Sequence, residues 1–408
     1  MHQTSDPYGH SFMRMRSEGE YYVDKTLLID DLLRMNDRGV YLFTRPEGFG
    51  KTVNISMLDA FFNIEYKGND WFDGLAISDH HGYDCYRNRF PVIYIDMDRC
   101  REPSDVPLHE MFVETISDAF DRHRYLLDSN ITRLRVRHLF SSLDDGSVTD
   151  DELKIFVKDL SEALTGYHGV RPVILIDGYD GPVIGSPDGP EDRGIMNLLG
   201  PFMYASVKGN ENRQAVIVTG VTDEVMIHSG VDNIMVDDVF SPISYQSFGF
   251  TESEVRDLLS YYGRSDGFDE VKCLYGGYGS GDFEIYDPSG VMGFVSGEVM
   301  GVRIPRVVRY AIVGALSGRN RGLLEGLKTI LDGGCYDGRL KGSLLGTMAS
   351  FGYLKADPLG EGRYRMTVSN ERMRDVLADL VSDHRESVVD VSGNRYQPTK
   401  RSIHHGIR

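Results

Sequence analysis

Five consecutive residues, Gly48-Phe49-Gly50-Lys51-Thr52, have the types and spacing to hold a phosphate chain. Glycines let backbone N–H groups turn inward on phosphate oxygens. Lysine brings a mobile charge to the β- and γ-phosphates, and a threonine hydroxyl is sized to ligate Mg2+. An apolar run, Val40 to Phe43, stops at Thr44 just upstream, and NISMLDAFF follows. That is strand, turn and helix, with the positive N-terminus of the helix aimed at the same anion. The pattern is incomplete, because the usual loop places glycine where this chain has Arg45. Stripped of its flanks, the segment is a glycine turn before a helix, with Lys51 a solvated charge.

A metal beside such a loop needs a carboxylate at a strand end, an apolar run closed by Asp. Two runs qualify, PVIYID ending at Asp96 and PVILID ending at Asp177. Asp177 is the better fit, because it opens the carboxylate-rich turn Gly178-Tyr179-Asp180. Asp96 reads as a strand-end cap, and Asp180 as a turn residue before it reads as a base. Thr219 closes a further run, AVIVT. Its hydroxyl either senses the γ-phosphate or satisfies the strand end.

These residues need a scaffold. Near-continuous apolar strands at Val40–Phe43, Pro91–Asp96, Pro172–Asp177 and Ala215–Thr219, with a weaker one at Val239–Tyr245, alternate with helical segments at 55–62, 108–122, 151–164 and 193–207. That alternation predicts an α/β fold, a parallel sheet with helices on both faces. Ligands of such sheets sit at the carboxyl ends of the strands, where Thr44–Thr52, Asp96, Asp177 and Thr219 all fall.

Upstream, residues 1–38 form a lead-in, with LLIDDLLRM at helical spacing, Thr26 as its cap and Asp24-Lys25 as a surface pair. Downstream, Thr251 and Glu254 make a capping box that starts a mainly helical part. The expected units are a core at 39–250, a helical lid at 251–330, a winged-helix-like unit at 331–385 and a basic, disordered tail at 386–408. Within the last unit, Leu344–Leu354 reads as an apolar helix, Tyr364–Val368 as a strand and Asn370–Val381 as a helix. Arg303, Arg306 and Arg309 read as a solvated helix face, and His404-His405 lack the spaced partners of a metal site.

Composition bounds the rest. The 408 residues suffice for two or three domains. A net charge of −18 gives no overall field to recruit nucleic acid. Four scattered cysteines form no CxxC pair, which fits a reducing compartment. The N-terminus has no apolar signal region and no run approaches ~20 apolar residues, so a cytoplasmic protein without a membrane span is expected.

Taken in order, YYVDKTLLI (21–29), FTRPEGFGKTVNISMLDAFF (43–62), PVILIDGYDGPV (172–183), VIVTGV (216–221), FGFTESEV (248–255), IYDPSGV (285–291), and FGYLKAD with VSNERMRDV (351–376) form one pattern. The chain resembles the prokaryotic AAA-ATPase-like family, phosphate-loop proteins often fused to a nuclease-like C-terminal domain. The resemblance implies that Arg45, Pro46, Gly48, Phe49, Gly50, Lys51 and Thr52 bind ATP. It implies that Asp177 is the Walker B acid, sharing Mg2+ with Thr52, and that Thr219 sits at the sensor position. An Arg-Pro start of the loop is then expected.

Three departures matter. Glu47 and Gly48 replace two basic residues, and Glu47 should weaken phosphate binding unless it points away. Gly178 replaces the glutamate that would polarise water, a loss worth about 10²–10⁴ in rate. Thr222-Asp223 replaces a Ser-Arg. The reading is a Mg-ATP-dependent switch with slow or impaired hydrolysis, with Asp180 the first alternative base. The other reading is a non-catalytic interaction or DNA-associated protein that keeps the fold as scaffold. A protein partner or a second copy fits the first reading; nucleic acid has little support. The chain ends near where a nuclease-like domain would begin, so no nuclease activity is expected.

Overall fold

Val40–Thr44 (β1), Val92–Asp96 (β2), Val173–Asp177 (β3), Val216–Gly220 (β4) and Met235–Asp237 (β5) form one parallel sheet in the order β2-β3-β4-β1-β5. The structure is a computed structural model. It describes residues 11–389 apart from 37, 81, 102–105, 130–132, 187, 189–191, 242, 282, 299–300, 303, 306–307, 310–311 and 313–320. Arg303, Arg306, His404, His405 and most of the basic tail lie outside the described residues; Arg309 is exposed.

Every residue of β1, β3 and β4 is buried, as strands covered on both faces require. Leu42, Ile95, Ile176 and Val218 pack on the helices Leu108–Asp121, Leu134–Asp144, Asp150–His168 and Arg193–Val207. Their alternates Phe43, Tyr94, Leu175 and Ile217 pack on Phe12–Glu18, Leu27–Asn36 and Lys51–Phe62. The period-2 alternation of strand side chains thus divides the core into two layers.

The fifth strand is not at 239–245. It is the three residues Met235–Asp237 at the sheet edge, with Met235 and Val236 exposed, so no apolar run marks it. The described residues here instead form turns: Asp238 caps the Phe240 N–H at 3.0 Å and Ser244 donates to Asp237 at 2.7 Å.

The lead-in also differs. Asp24-Lys25 is not a surface pair: Lys25 is buried, and its Nζ donates to Glu254 and to the Gln246 carbonyl, each at 2.7 Å. Thr26 spends its hydroxyl on Asp24 at 2.6 Å and accepts from the Ile77 N–H, rather than capping the helix.

Beyond the sheet, the Thr251–Glu254 capping box opens the helix Glu252–Tyr261. This helix shares a core, including Val255, Leu258, Val271 and Val291, with Phe268–Tyr275 and Pro288–Ser296. The C-terminal part runs helix Arg321–Leu331, Tyr336–Gly338 (β6), helix Leu344–Ser350, Leu354–Gly360 (β7), Arg363–Val368 (β8) and helix Glu371–Val389. Its strands form an antiparallel sheet, β6-β8-β7, over Leu345, Met348, Met366 and Leu377. The apolar helix expected to reach 354 stops at Ser350, and β7 starts at Leu354.

Candidate functional site

β4 lies between β1 and β3, and the registers Phe43↔Thr219 and Asp96↔Asp177 bring the strand ends level. The loop after β1 therefore runs beside Thr219, and the turn after β3 runs beside both. Within the loop, Gly48 and Gly50 take φ of 79° and 76°, the left-handed region that glycine enters without a Cβ penalty. Gly50 precedes the first residue of the helix Lys51–Phe62, so the free N–H groups of that helix open onto the loop.

Lys51 turns back over the loop it ends. Its Nζ donates to the carbonyls of Arg45 at 2.8 Å and Pro46 at 2.7 Å, tying the first loop residues to the last. Burial pulls the ammonium below its ordinary pKa; Asp98, Asp180 and Glu47 oppose that, and Arg101 adds to it.

Asp177 is 2% exposed at the end of β3. The Thr219 hydroxyl donates to its Oδ1 and accepts from the Gly178 N–H at 3.1 Å. Burial first, then the Asp98 charge, raises the Asp177 carboxyl above its ordinary value; hydrogen bonds from Thr219 and Thr52 and the charge of Lys51 pull the other way. Thr52, Asp177 and Thr219 are thus brought together in one chain of oxygens.

Other expected residues have different surroundings. The Arg45 side chain points away from the loop interior: it is fully buried, pairs with Asp237 Oδ1 at 2.6 Å, donates to the Asp237 carbonyl at 2.7 Å and lies over the Phe248 ring. It pins β1 to β5 and offers the loop only its backbone. Asp180 Oδ2 accepts the N–H groups of Val221 and Thr222, each at 2.8 Å, so the side chain caps the end of β4. Burial raises its pKa to about 6. Asp96 accepts the Asp98 N–H at 3.2 Å and caps the short helical turn Met97–Cys100, as a strand-end cap should.

Two residues that the motifs did not mark sit here as well. Arg101, 8% exposed, pairs with Glu47 Oε1 at 2.7 Å and with Asp98 Oδ1 at 3.2 Å. The Glu47 charge is therefore answered locally. Both Asp98 and Arg101 follow β2 at its carboxyl end, so the strand-end rule applied to β2 would have flagged them.

The outer side of the loop is covered. Ser289 donates both its N–H, at 3.3 Å, and its hydroxyl, at 3.2 Å, to the Gly48 carbonyl. The Phe49 ring meets Tyr278 edge-on at 4.9 Å. A cavity of about 210 Å³ lies between Pro46–Phe49 and Asp287, Tyr353 and Arg372.

A family described as "Predicted AAA-ATPase" matches residues 7–229, more than half of the chain. The chain belongs to the AAA-ATPase-like family. Its fold is accordingly that of a phosphate-loop ATPase: an α/β parallel sheet, flanked by helices, with the glycine loop after its first strand. This AAA-ATPase-like protein is also similar to a curated protein of Azotobacter chroococcum mcd 1, described as "Uncharacterized protein in vnfD 5'region". The two are 26% identical over 290 residues, 68% of this chain and 49% of the relative, so the chain spans about half that relative's length. Among solved structures, the Aeropyrum pernix ORC2 protein, in ADPNP–ADP complexes, aligns over 90% of this chain and 92% of its own at 13% identity, with a TM-score of 0.35. At that level nothing about its ligands transfers.

Proposed function

We propose that this AAA-ATPase-like protein binds Mg-ATP at the loop Arg45–Thr52 and works as a nucleotide-dependent switch whose hydrolysis is slowed by Gly178. The observation that carries the reading is the position of Lys51: its charge is held at the mouth of a glycine loop whose helix N-terminus faces the same space. Gly48, Phe49, Gly50 and Lys51 would hold the phosphates through backbone N–H groups and the ammonium; Arg45 and Pro46 would shape the loop.

The oxygens of Thr52 and Asp177 suit a small hard cation. Among the described residues no group of three or more His, Cys, Asp and Glu is arranged to hold a metal alone. That fits Mg2+, which is usually held by one or two carboxylates together with substrate phosphates and waters. When bound, the ion would screen the phosphate charge. Asp177, steadied by Thr219, would keep it facing Thr52.

The division into core (39–250), lid (251–330) and winged-helix-like unit (331–385) belongs to this reading, with the cover on the loop as the route between them. No described helix is long and apolar enough to cross a membrane; a cytoplasmic site of action is part of the proposal. A scaffold without nucleotide is the second reading, favoured by Gly178. Thermal melting separates the two. Mg-ATP at 100 times its Kd should add about 2.7 kcal/mol of stability, and Lys51→Ala should abolish the gain. No rise at millimolar Mg-ATP would sink the switch reading.

A further inference from the structure

The glutamate missing at residue 178 leaves the site without the carboxylate that normally faces the attacking water, and the structure puts another one in its way. A Cβ built on Gly178 falls 2.4 Å from both Cγ and Oδ1 of Asp98 and 3.0 Å from Oδ2. The space into which a side chain at 178 would grow is already filled by a carboxylate from the end of β2. Gly178 also has φ of 59°, so its backbone favours glycine independently.

The approach of the two segments extends past this pair. A Cβ at Gly181 would lie 2.6 Å from the Met97 carbonyl oxygen, and one at Gly185 would lie 2.0 Å from that of Arg101. Glycines at 178, 181 and 185 therefore let residues 97–101 settle against the turn after β3. We propose that Asp98 takes over the missing glutamate's role, orienting the attacking water and accepting its proton; this rests on the reading of the loop as a Mg-ATP site.

Its surroundings suit the task. Asp98 is the largest charge acting on Lys51, Arg101 and Asp177, which places it among the loop cation, the buried arginine and the Walker B acid. Its side chain is 39% exposed, so water reaches the carboxylate, while its buried Oδ1 faces the Arg101 guanidinium at 3.2 Å. The other carboxylates are less accessible or engaged: Asp180 is fully buried with its Oδ2 on two backbone N–H groups, Asp96 is held by the turn it caps and by Arg99, and Glu47 by Arg101. In the step itself, the water oxygen bonds to the γ-phosphorus while an Asp98 oxygen takes the water proton. The bond from the γ-phosphorus to the β,γ-bridging oxygen breaks, its electron pair leaving with ADP. The proton then passes to solvent.

The test separates binding from turnover. Wild type, Asp98→Asn and Lys51→Ala are titrated with a fluorescent ATP analogue, then loaded with Mg-ATP in single turnover. Bound nucleotide is identified after desalting. The expected result is wild-type affinity within about threefold for D98N, with hydrolysis slower by about 10²–10⁴ and ATP retained where wild type holds ADP. A structural role would lower affinity and rate together. The double variant D98A/G178E, which frees the space and restores the glutamate, should recover turnover relative to D98A. Hydrolysis by D98N at the wild-type rate, or a wild type that keeps ATP uncleaved, overturns the proposal. Absence of binding to wild type, with no difference from K51A, removes the Mg-ATP reading and this inference with it.

Discussion

Arg101 Nη1 lies 2.7 Å from Glu47 Oε1, joining the segment after β2 to the glycine loop after β1. The pair neutralises a carboxylate that would otherwise repel phosphate, and it also holds a buried guanidinium away from any bound anion. Glu47→Gln should release that guanidinium and remove the repelling charge. Nucleotide affinity is expected to rise about fivefold, the ~1 kcal/mol typical of a partly exposed ion pair. Arg101→Ala should act in the opposite direction. Titration with a fluorescent ATP analogue gives both values; a weaker E47Q would show that Glu47 supports the loop rather than opposing its ligand.

Arg45 is predicted to matter for stability more than for binding. Its guanidinium and Asp237 are both buried, and removing one partner leaves an uncompensated charge. Arg45→Ala should cost about 3–5 kcal/mol in urea unfolding. The double variant with Asp237→Ala should recover part of that loss. Additive losses would mean the two side chains act independently.

Asp180 gives the core a pH signature. Its carboxyl keeps a proton up to about pH 6 when folded, whereas its ordinary value is 3.8. Between those values the folded state binds more protons than the unfolded one. Stability from this group is therefore fully present below about 3.8 and is lost as pH rises to about 6. The loss is on the order of 3 kcal/mol. Asp180→Asn should flatten this part of the profile, measured as the wild-type-minus-variant difference in unfolding free energy from pH 4 to 7. Asp96, pushed up to about 6 by burial and then by Asp177, leaves a slope of the same sign in that variant. Identical profiles for wild type and D180N would rule out the buried, protonatable Asp180.

Gly48→Ala tests the loop's shape. The backbone there is left-handed at φ of 79°, and an added Cβ would meet Ser289 Oγ at 2.8 Å. About 1–2 kcal/mol of strain is expected, with a ten-fold or larger loss of ATP-analogue affinity. If Ser289→Gly in the same chain restores binding, crowding is the cause; if it does not, the φ angle is.

The parallel sheet was legible because four of its strands are runs of four apolar residues closed by a residue with chemistry: Thr44, Asp96, Asp177 or Thr219. β5 escaped because an edge strand of three residues, two of them exposed, leaves no periodic trace. The helix Leu134–Asp144 escaped because arginines and a histidine interleave its buried Val136, Leu139, Phe140 and Leu143. In the candidate site, the glycine loop and the strand that ends at Asp177 were readable as contiguous segments. Asp98 and Arg101 were marked only by their place after β2, and Asp237 and Ser289 not at all, because these two act across 192 and 241 residues of chain and only the fold brings them to their partners. Arg45 shows the limit of motif transfer: its position in the loop was evident, while the direction of its side chain depends on β5.

Lys25 and Glu254 are joined across 229 residues, and Glu254 also closes the capping box of the helix it begins. The lead-in is thus a strap that fastens the helix Glu252–Tyr261, beyond the sheet. Ring closure of that size is affordable in entropy but has to wait until the intervening strands have gathered the two ends. A fastening made last stabilises the finished domain without helping to seed it. Lys25→Met is therefore expected to speed unfolding and to leave the refolding rate unchanged, as stopped-flow chevrons would show. In this protein a segment that precedes the first strand would be among the last to take its place.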